Sequence, residues 1–466
     1  MGKTYMITGG KKMKKLIALL LAVMMVLSLA ACGEKTETPS AEEPAADNTE
    51  EKTPAEETPE EPTEEEPAEE EPAAETPAAG DIKVGVVLIG DENEGYTYAH
   101  IKGIQDAAAA LGLPEENIIW YYSIPESEAC YDKCVDCADQ GCAIVFTNSY
   151  GHQSYALQAA EEYPDVQFVS MTGDMALAAG LDNYANAFTK VYESRYVSGV
   201  VAGMKIAELV ESGELTDKNY DADGNVKVGY VGAYPYAEVV SGYTAFFLGV
   251  QSVYEQVSME VQYTNSWFDI TAENEAAKAL IADGCVIIGQ HADSTGAPAA
   301  CQEALEGGTV VYSIGYNVDM LATAPDAALT SSTNVWSVYY TYAIGAAMNG
   351  EEIATNWSAG YQDGAVAITE LGASCAEGTA EKVAEVEAAI QSGTLHVFDT
   401  ATFTAPESDA YQIDADGHVT SAFCYDSDGD FVYDTGEAIA DGYYHESEYQ
   451  SAPSFSIRID GITELN

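Results

Sequence analysis

Basic residues are scarce in this chain: 18 Lys and Arg stand against 77 Asp and Glu in 466 residues, a formal charge of −59. A phosphate backbone or an anionic membrane surface is repelled by such a polypeptide, which excludes nucleic acid as a partner. Motifs for several chemistries are missing as well. Gly-x-x-x-x-Gly-Lys-Ser/Thr does not occur, so no P-loop holds ATP, and neither His-Glu-x-x-His nor Gly-x-Ser-x-Gly is present to carry hydrolysis. The six histidines, at 100, 152, 291, 396, 418 and 445, include no close pair, and His100 and His291 are expected only as neighbours of a site. No cofactor is expected. What the chain does have is length and 47% hydrophobic residues, enough for one large or two to three smaller domains with a sizeable core.

The charge is segregated. Residues 1–32 carry five Lys and no acid, residues 33–80 carry 18 acids and two Lys, and the remaining 59 acids and 11 bases give 81–466 a net −48. Lys11, Lys12, Lys14 and Lys15 precede the apolar run 16–29, the pattern of a secretory signal and too short for a comfortable bilayer span. The run ends Leu29-Ala30-Ala31-Cys32-Gly33, which resembles the lipobox of bacterial lipoproteins, so Cys32 is the expected site of lipidation. That places the protein on the extracytoplasmic face of a membrane, held through the lipid. Residues 33–80 hold eight of the 16 prolines and no aromatic or β-branched aliphatic residue, and are expected to be a disordered Glu/Pro/Thr-rich tether. At ~3.1 Å per residue such a tether reaches on the order of 140 Å.

From residue 81 the pattern changes. The run 82–89 is apolar enough for a strand buried on both faces, and 98–111 shows helical spacing through Ile101, Ile104 and Ala108. Strands are expected at 117–122, 143–147 and 166–171, alternating with helices at 127–139 and 153–162. A second series follows after Tyr184: helices 192–211, 236–254, 270–283 and 297–305, and strands 226–230, 259–264, 286–290 and 309–314. Two βα series imply an α/β protein with two parallel-sheet lobes, whose ligand sits at the carboxyl ends of the strands. The expected division is 81–188 with about 316–355 as lobe I, 189–315 with about 356–398 as lobe II, and 399–466 as an acidic, β-rich extension packed on lobe II.

The residues at those strand ends are distinctive. They include Tyr96, Thr97 and Tyr98; Asn148, Ser149 and Tyr150; Tyr234; Trp267 and Asp269; Gln290 and Asp293; and Tyr316, Asn317 and Asp319. Aromatic faces, amides and carboxylates dominate, and Lys and Arg are absent from all seven segments. Such a set suits a planar, neutral or weakly cationic molecule better than a phosphate or a sugar acid. These fourteen residues are the candidate ligand-binding set.

Lys83-Val84-Gly85, 95–99, 146–151, 195–203, 228–235, 265–269, 290–294 and 314–319, in this order and spacing, resemble the basic membrane protein family of ABC-transporter substrate-binding lipoproteins. The resemblance covers roughly 81–398. It implies a type I periplasmic-binding-protein fold with two Rossmann-like lobes, a hinge and an interlobe cleft, a purine nucleobase or nucleoside as ligand, and an ABC permease with its ATPase as partners. It also places Tyr96 and Trp267 where the nucleoside receptors stack aromatic rings on a base. Thr97-Tyr98 stands in place of their Asn-Asp pair, Asn317 in place of a ribose-directed Asp, and Asp293-Ser294 in place of a Gly-Gly segment. These departures weaken the case for a nucleoside and leave room for a free nucleobase or another flat heterocycle, with Asp293 or Asp319 accepting ring or amino hydrogens; the resemblance to family members with Tyr-Thr-Tyr-Ala-His and Gln-His-x-Asp-Ser favours an adenine-like ligand. A receptor feeding a membrane sensor and an exported enzyme acting on a small heterocycle are the alternatives.

Two further clusters stand out. Cys130, Cys134 and Cys137 have iron–sulfur spacing, but the same spacing puts them on one helical face as small core residues. Zinc or a disulfide among these three and Cys142 stays open. Asp426, Asp428, Asp430, Asp434 and Glu437 match the ligand positions of an EF-hand loop, yet Phe431 stands where the turn needs Gly and the flanks look like strands. An acidic hairpin loop is expected there, with calcium as the alternative.

Overall fold

The computed structural model describes residues 82–427 and 432–466; Cys32 and the 33–80 tether lie outside them. The first lobe is a βα series: β1 (Lys83–Val87), α1 (Gly95–Leu111), β2 (Ile118–Tyr121), α2 (Glu128–Asp139), β3 (Cys142–Thr147), α3 (Gln153–Glu162), β4 (Gln167–Met171), the short α4 (Ala176–Ala179) and β5 (Tyr184–Thr189). With a late strand, β11 (Asn356–Ala359), these form a six-stranded, wholly parallel sheet in the order β11-β5-β4-β3-β1-β2. Val84, Val86, Ile144, Phe146 and Val169 are buried under covering helices, as a parallel sheet requires. β5 carries no periodicity to announce it, since all six residues are buried and Ala185, Asn186 and Ala187 have little preference for strands.

The second lobe repeats the scheme: α5 (Val191–Ser212), β6 (Val226–Gly232), α6 (Ala237–Gln251), β7 (Val257–Tyr263), α7 (Ile270–Asp283), β8 (Ile287–Gln290), α8 (Gly296–Glu306), β9 (Tyr312–Tyr316) and β10 (Ala328–Asn334). The chain then returns to the first lobe through α9 (Ser337–Asn349), which packs on α1, and β11, and comes back through β12 (Val366–Ile368) and α10 (Thr379–Gln391). The return segments therefore divide more finely than 316–355 and 356–398: β10 belongs to the second sheet and β11 to the first, because each crossover deposits one strand before the chain leaves again.

The second sheet runs β12-β10-β9-β8-β6-β7-β18, parallel except for β12, where β18 is Ile462–Glu464 at the far end of the chain. The extension supplies further antiparallel pairs: β13 (Tyr411–Ile413) with β14 (Val419–Tyr425), β14 with β15 (Thr435–Glu437), and β16 (Ile439–Ala440) with β17 (Tyr443–Tyr444). In the candidate calcium segment, Asp428 and Asp430 lie outside the described residues. Asp434 accepts hydrogen bonds from the Ser427 amide and hydroxyl, and Glu437 from the Ser421 hydroxyl and the Ala422 amide, so both act within the β14–β15 hairpin. Among the described residues no three His, Cys, Asp or Glu side chains are grouped to hold a metal.

Helices α5 and α6 cross backbone to backbone. A Cβ on Gly199 would lie 2.1 Å from the Phe246 carbonyl oxygen, and one on Gly249 would lie 2.1 Å from that of Tyr196. Cys130, Cys134, Cys137 and Cys142 are buried free thiols packed with Ala156, Ala159 and Phe168. They fill the space between α2 and the sheet so tightly that a Cβ at Gly85 would come 2.5 Å from Cys137 Sγ.

The carboxyl group of Glu446 is buried in the extension, accepting hydrogen bonds from the hydroxyls of Ser241 on α6 (2.6 Å) and Ser447. Burial pushes its pKa up to about 7. The folded protein thus keeps a proton that the unfolded chain loses near pH 4.5, so stability falls as pH rises from there to about 7 and levels off above. Glu446→Gln should remove about 3 kcal/mol of this fall, measured as a flatter pH dependence of denaturant unfolding between pH 4.5 and 7.5.

Candidate ligand-binding site

In both sheets the first strand of the series lies between the second and the third: β2-β1-β3 in one and β7-β6-β8 in the other. Successive connections therefore leave over opposite faces, and a crevice opens beyond the carboxyl ends of the strands. The two crevices face each other across a half-open cavity. From lobe I it is lined by Ile89, Glu94, Tyr96, Asn148, Ser149, Tyr150 and Thr172, and from lobe II by Glu238, Trp267, His291, Asp293 and Tyr316. The lobes touch at its edge: a Cβ on Gly95 would lie 3.2 Å from Val318 and 3.4 Å from the Asp293 carbonyl oxygen.

On the lobe I wall, Tyr96 sits in the first turn of α1 and its hydroxyl donates to the Asn148 carbonyl. Behind it, His100 meets its ring edge-on at 4.5 Å, stacks on Trp336 at 4.5 Å and bonds the Tyr340 hydroxyl at 2.7 Å. Burial depresses the His100 pKa to about 3, so the imidazole is a neutral packing group. The Asn148 side chain accepts from the Ile89 amide at 2.8 Å and thereby ties the β1 and β3 loops together. Tyr150 donates to Asp174 (3.0 Å) and lies 6.2 Å from the Tyr236 ring of lobe II at the cleft mouth. Thr172 adopts φ 66°, a costly conformation for a β-branched residue and one that clusters at ligand sites.

On the lobe II wall, the Asp293 amide donates to the Trp267 carbonyl (2.8 Å), and Asn317 Nδ2 donates to Asp293 Oδ1 (2.8 Å) while Asn334 holds Asn317 from behind (3.0 Å). Burial raises the Asp293 pKa far above the carboxylate range, helped by the charges of Glu94, Glu273 and Glu238 and opposed by Arg195. Burial also raises the pKa of Glu94. Burial therefore favours the protonated form of Asp293, in which the Asn317 donor marks Oδ1 as the carbonyl oxygen.

The buried guanidinium of Arg195, on α5, lies 3.6 Å from the Tyr316 ring centre, donates to the Gln290 carbonyl (2.6 Å) and reaches His291 Nδ1 (3.3 Å). A guanidinium only donates, so Nδ1 must carry the lone pair and Nε2 the proton. Nε2 then donates to Glu238 Oε1 at 2.9 Å. Burial, the dominant effect, lowers the His291 pKa and keeps the ring neutral between a permanent cation and a carboxylate.

Seven of the fourteen expected residues line the cavity: Tyr96, Asn148, Ser149, Tyr150, Trp267, Asp293 and Tyr316. The other seven act around it or elsewhere. Thr97 is buried and bonds Glu94 and Asn148, while Tyr98, two positions round the helix from Tyr96, is 45% exposed. Tyr234 packs against Trp267 at 5.1 Å without reaching the cavity, and Asn317 acts through Asp293. Asp269 caps α7 by accepting from Thr271 and Ala272, Gln290 donates to the Ala292 and Ser294 carbonyls, and Asp319 accepts from the Leu321 amide in a turn. Five lining residues fall outside the expected set. His291 was a neighbour; Ile89, Glu94, Thr172 and Glu238 carry no signal of their own, although Glu94 and Glu238 stand at starts of helices that open onto strand ends.

The family described as PnrA-like ABC-transporter substrate-binding proteins matches residues 83–400. A purine-binding protein of Brucella abortus is 33% identical over 318 residues, covering 68% of this chain and 83% of that one. A Haloferax volcanii protein, provisionally named an ABC-transporter glucose-binding protein, is 30% identical over 268 residues, 58% of this chain and 62% of that one. Among solved structures, an ABC-transporter solute-binding protein of Aeropyrum pernix aligns with a TM-score of 0.56 at 17% identity, over 70% of this chain and 94% of its own, a likeness of fold.

The hydrogen-bond order Arg195–His291–Glu238 has a spectroscopic signature. ¹⁵N-imidazole shifts should show His291 as the neutral Nε2–H tautomer throughout pH 6–8; an Nδ1–H signal, or titration within that range, would contradict the assignment.

Proposed function

We propose, from the premise that this chain belongs to the Bmp family of PnrA-like ABC-transporter substrate-binding proteins, that it captures a purine nucleobase or nucleoside, adenine before others. The family is extracytoplasmic and hands a small molecule to a permease driven by a separate ATPase; lipidation at Cys32 would hold this member at the membrane. The observation that carries the ligand class is one half-open cavity with Tyr96 and Trp267 on walls from opposite lobes and a buried acid, Asp293, beside Glu94 and Glu238. The purine-binding relative from Brucella abortus supports the same class.

The chemistry of the cavity narrows the choice. Glu94, Glu238 and Asp293 line the same cavity, and burial of Asp293 favours its protonated form. A neutral Asp293 offers a hydroxyl donor at Oδ2 beside a carbonyl acceptor at Oδ1, the complement of an edge with one acceptor and one donor. Adenine presents such an edge through ring N1 and its amino group, and guanine and hypoxanthine present one through O6 and N1–H, so the pair suits a purine edge as a class. Closure of the lobes desolvates the stacked ring and strengthens these contacts, and the closed form is the one the permease would read.

Calorimetry with adenine, hypoxanthine, guanine, adenosine and glucose tests this reading. Adenine at about 100 times its dissociation constant should stabilise the fold by about 2.7 kcal/mol, and binding of glucose alone would reject the purine. Trp267→Ala should weaken adenine binding about tenfold to a hundredfold through lost stacking. Asp293→Asn keeps the donor–acceptor pair and should retain adenine, whereas Asp293→Ala should lose it; equal losses in the two would mean that Asp293 acts as an anion.

A further inference from the structure

The family match ends at residue 400, and the 66 residues after it are not a loose appendage. Phe455 stacks on Phe398 at 4.2 Å, with Phe403 and Tyr444 edge-on, and all four belong to the hydrophobic core shared by α5 and α6. β18 lengthens the second sheet beside β7, where Glu464 accepts from the hydroxyls of Tyr243 (2.8 Å) and Tyr263 (2.6 Å). The extension is thereby fixed to lobe II.

The same segment also reaches lobe I. The amide and hydroxyl of the buried Ser451 both lie 3.3 Å from Asn356 Oδ1 on β11, the edge strand of the first sheet.

We infer that residues 401–466 form an interlobe brace, anchored in lobe II and fastened to lobe I where Ser451 meets Asn356. The brace favours the closed arrangement and prolongs the stay of whatever the cavity holds. A protein of this architecture lacking the segment would close through its three crossovers and ligand contacts alone. The inference goes beyond the purine reading and does not depend on it.

Asn356→Ala tests it without touching the cavity wall. In the ligand-free full chain, amide hydrogen exchange over 356–359 should accelerate about fivefold, the scale of one lost hydrogen bond, while β1 and β6 exchange as before. Adenine dissociation followed through tryptophan fluorescence should accelerate by a similar factor at an unchanged association rate. Unchanged exchange over 356–359, or acceleration spread evenly through both sheets, would overturn the brace. Absence of adenine binding would overturn the purine reading and leave the exchange result to decide the brace; should Asn356→Ala not fold, Ser451→Ala is read the same way.

Discussion

In each sheet the first strand of the series has its second and third strands on opposite sides, so the connections leaving its neighbourhood diverge over opposite faces and cannot cover the carboxyl edge. That topological gap is the constraint on which the site depends. Asn148 and Tyr150 follow β3, Trp267 follows β7, Asp293 follows β8 and Tyr316 ends β9, because those are the places where a side chain can face the gap while its backbone is held by a ladder. Facing two such gaps across a hinge turns a pair of shallow crevices into one half-open cavity.

Electrostatics then decide what the space can accept. Glu94, Glu238 and Asp293 bring acid to a place where water is scarce, and one buried guanidinium, Arg195, stands behind Tyr316 and His291 to balance them. The balance is directional: Arg195 fixes the His291 tautomer, and His291 gives its remaining proton to Glu238. Glu238 thus receives the His291 proton as a hydrogen bond, and Asp293, held by the amide of Asn317, is the acid whose charge burial opposes.

The fold was legible in the sequence because buried parallel strands read as apolar runs and their helices keep a 3.6-residue period. Small-residue β5 and the returning β10 and β11 were not, since neither periodicity nor length marks a strand whose pairing comes from a distant crossover. At the site, residues directly on strand ends were legible as chemistry: Tyr96, Asn148, Trp267, Asp293 and Tyr316 all reach the cavity. What failed was direction. Tyr98 shares a segment with Tyr96 but is rotated away by the helix, Asp269 spends its oxygen on a helix cap, and Glu238 looks like any first-turn acid until β6 and β8 bring His291 beside it. Thr172 depends on a left-handed backbone that no side-chain pattern announces.

The glycine contact between α5 and α6 bears on how the molecule moves. With Gly199 and Gly249 pressed against opposing carbonyls, neither helix can slide along the other without a collision, so the second lobe is denied the gradual shear by which many packed layers deform. Relative motion of the lobes then falls to the segments that join them, the short linkers at 190, 335–336 and 360 and the extension that reaches Asn356. A lobe that keeps its shape as it turns shows the same outer face at a new angle.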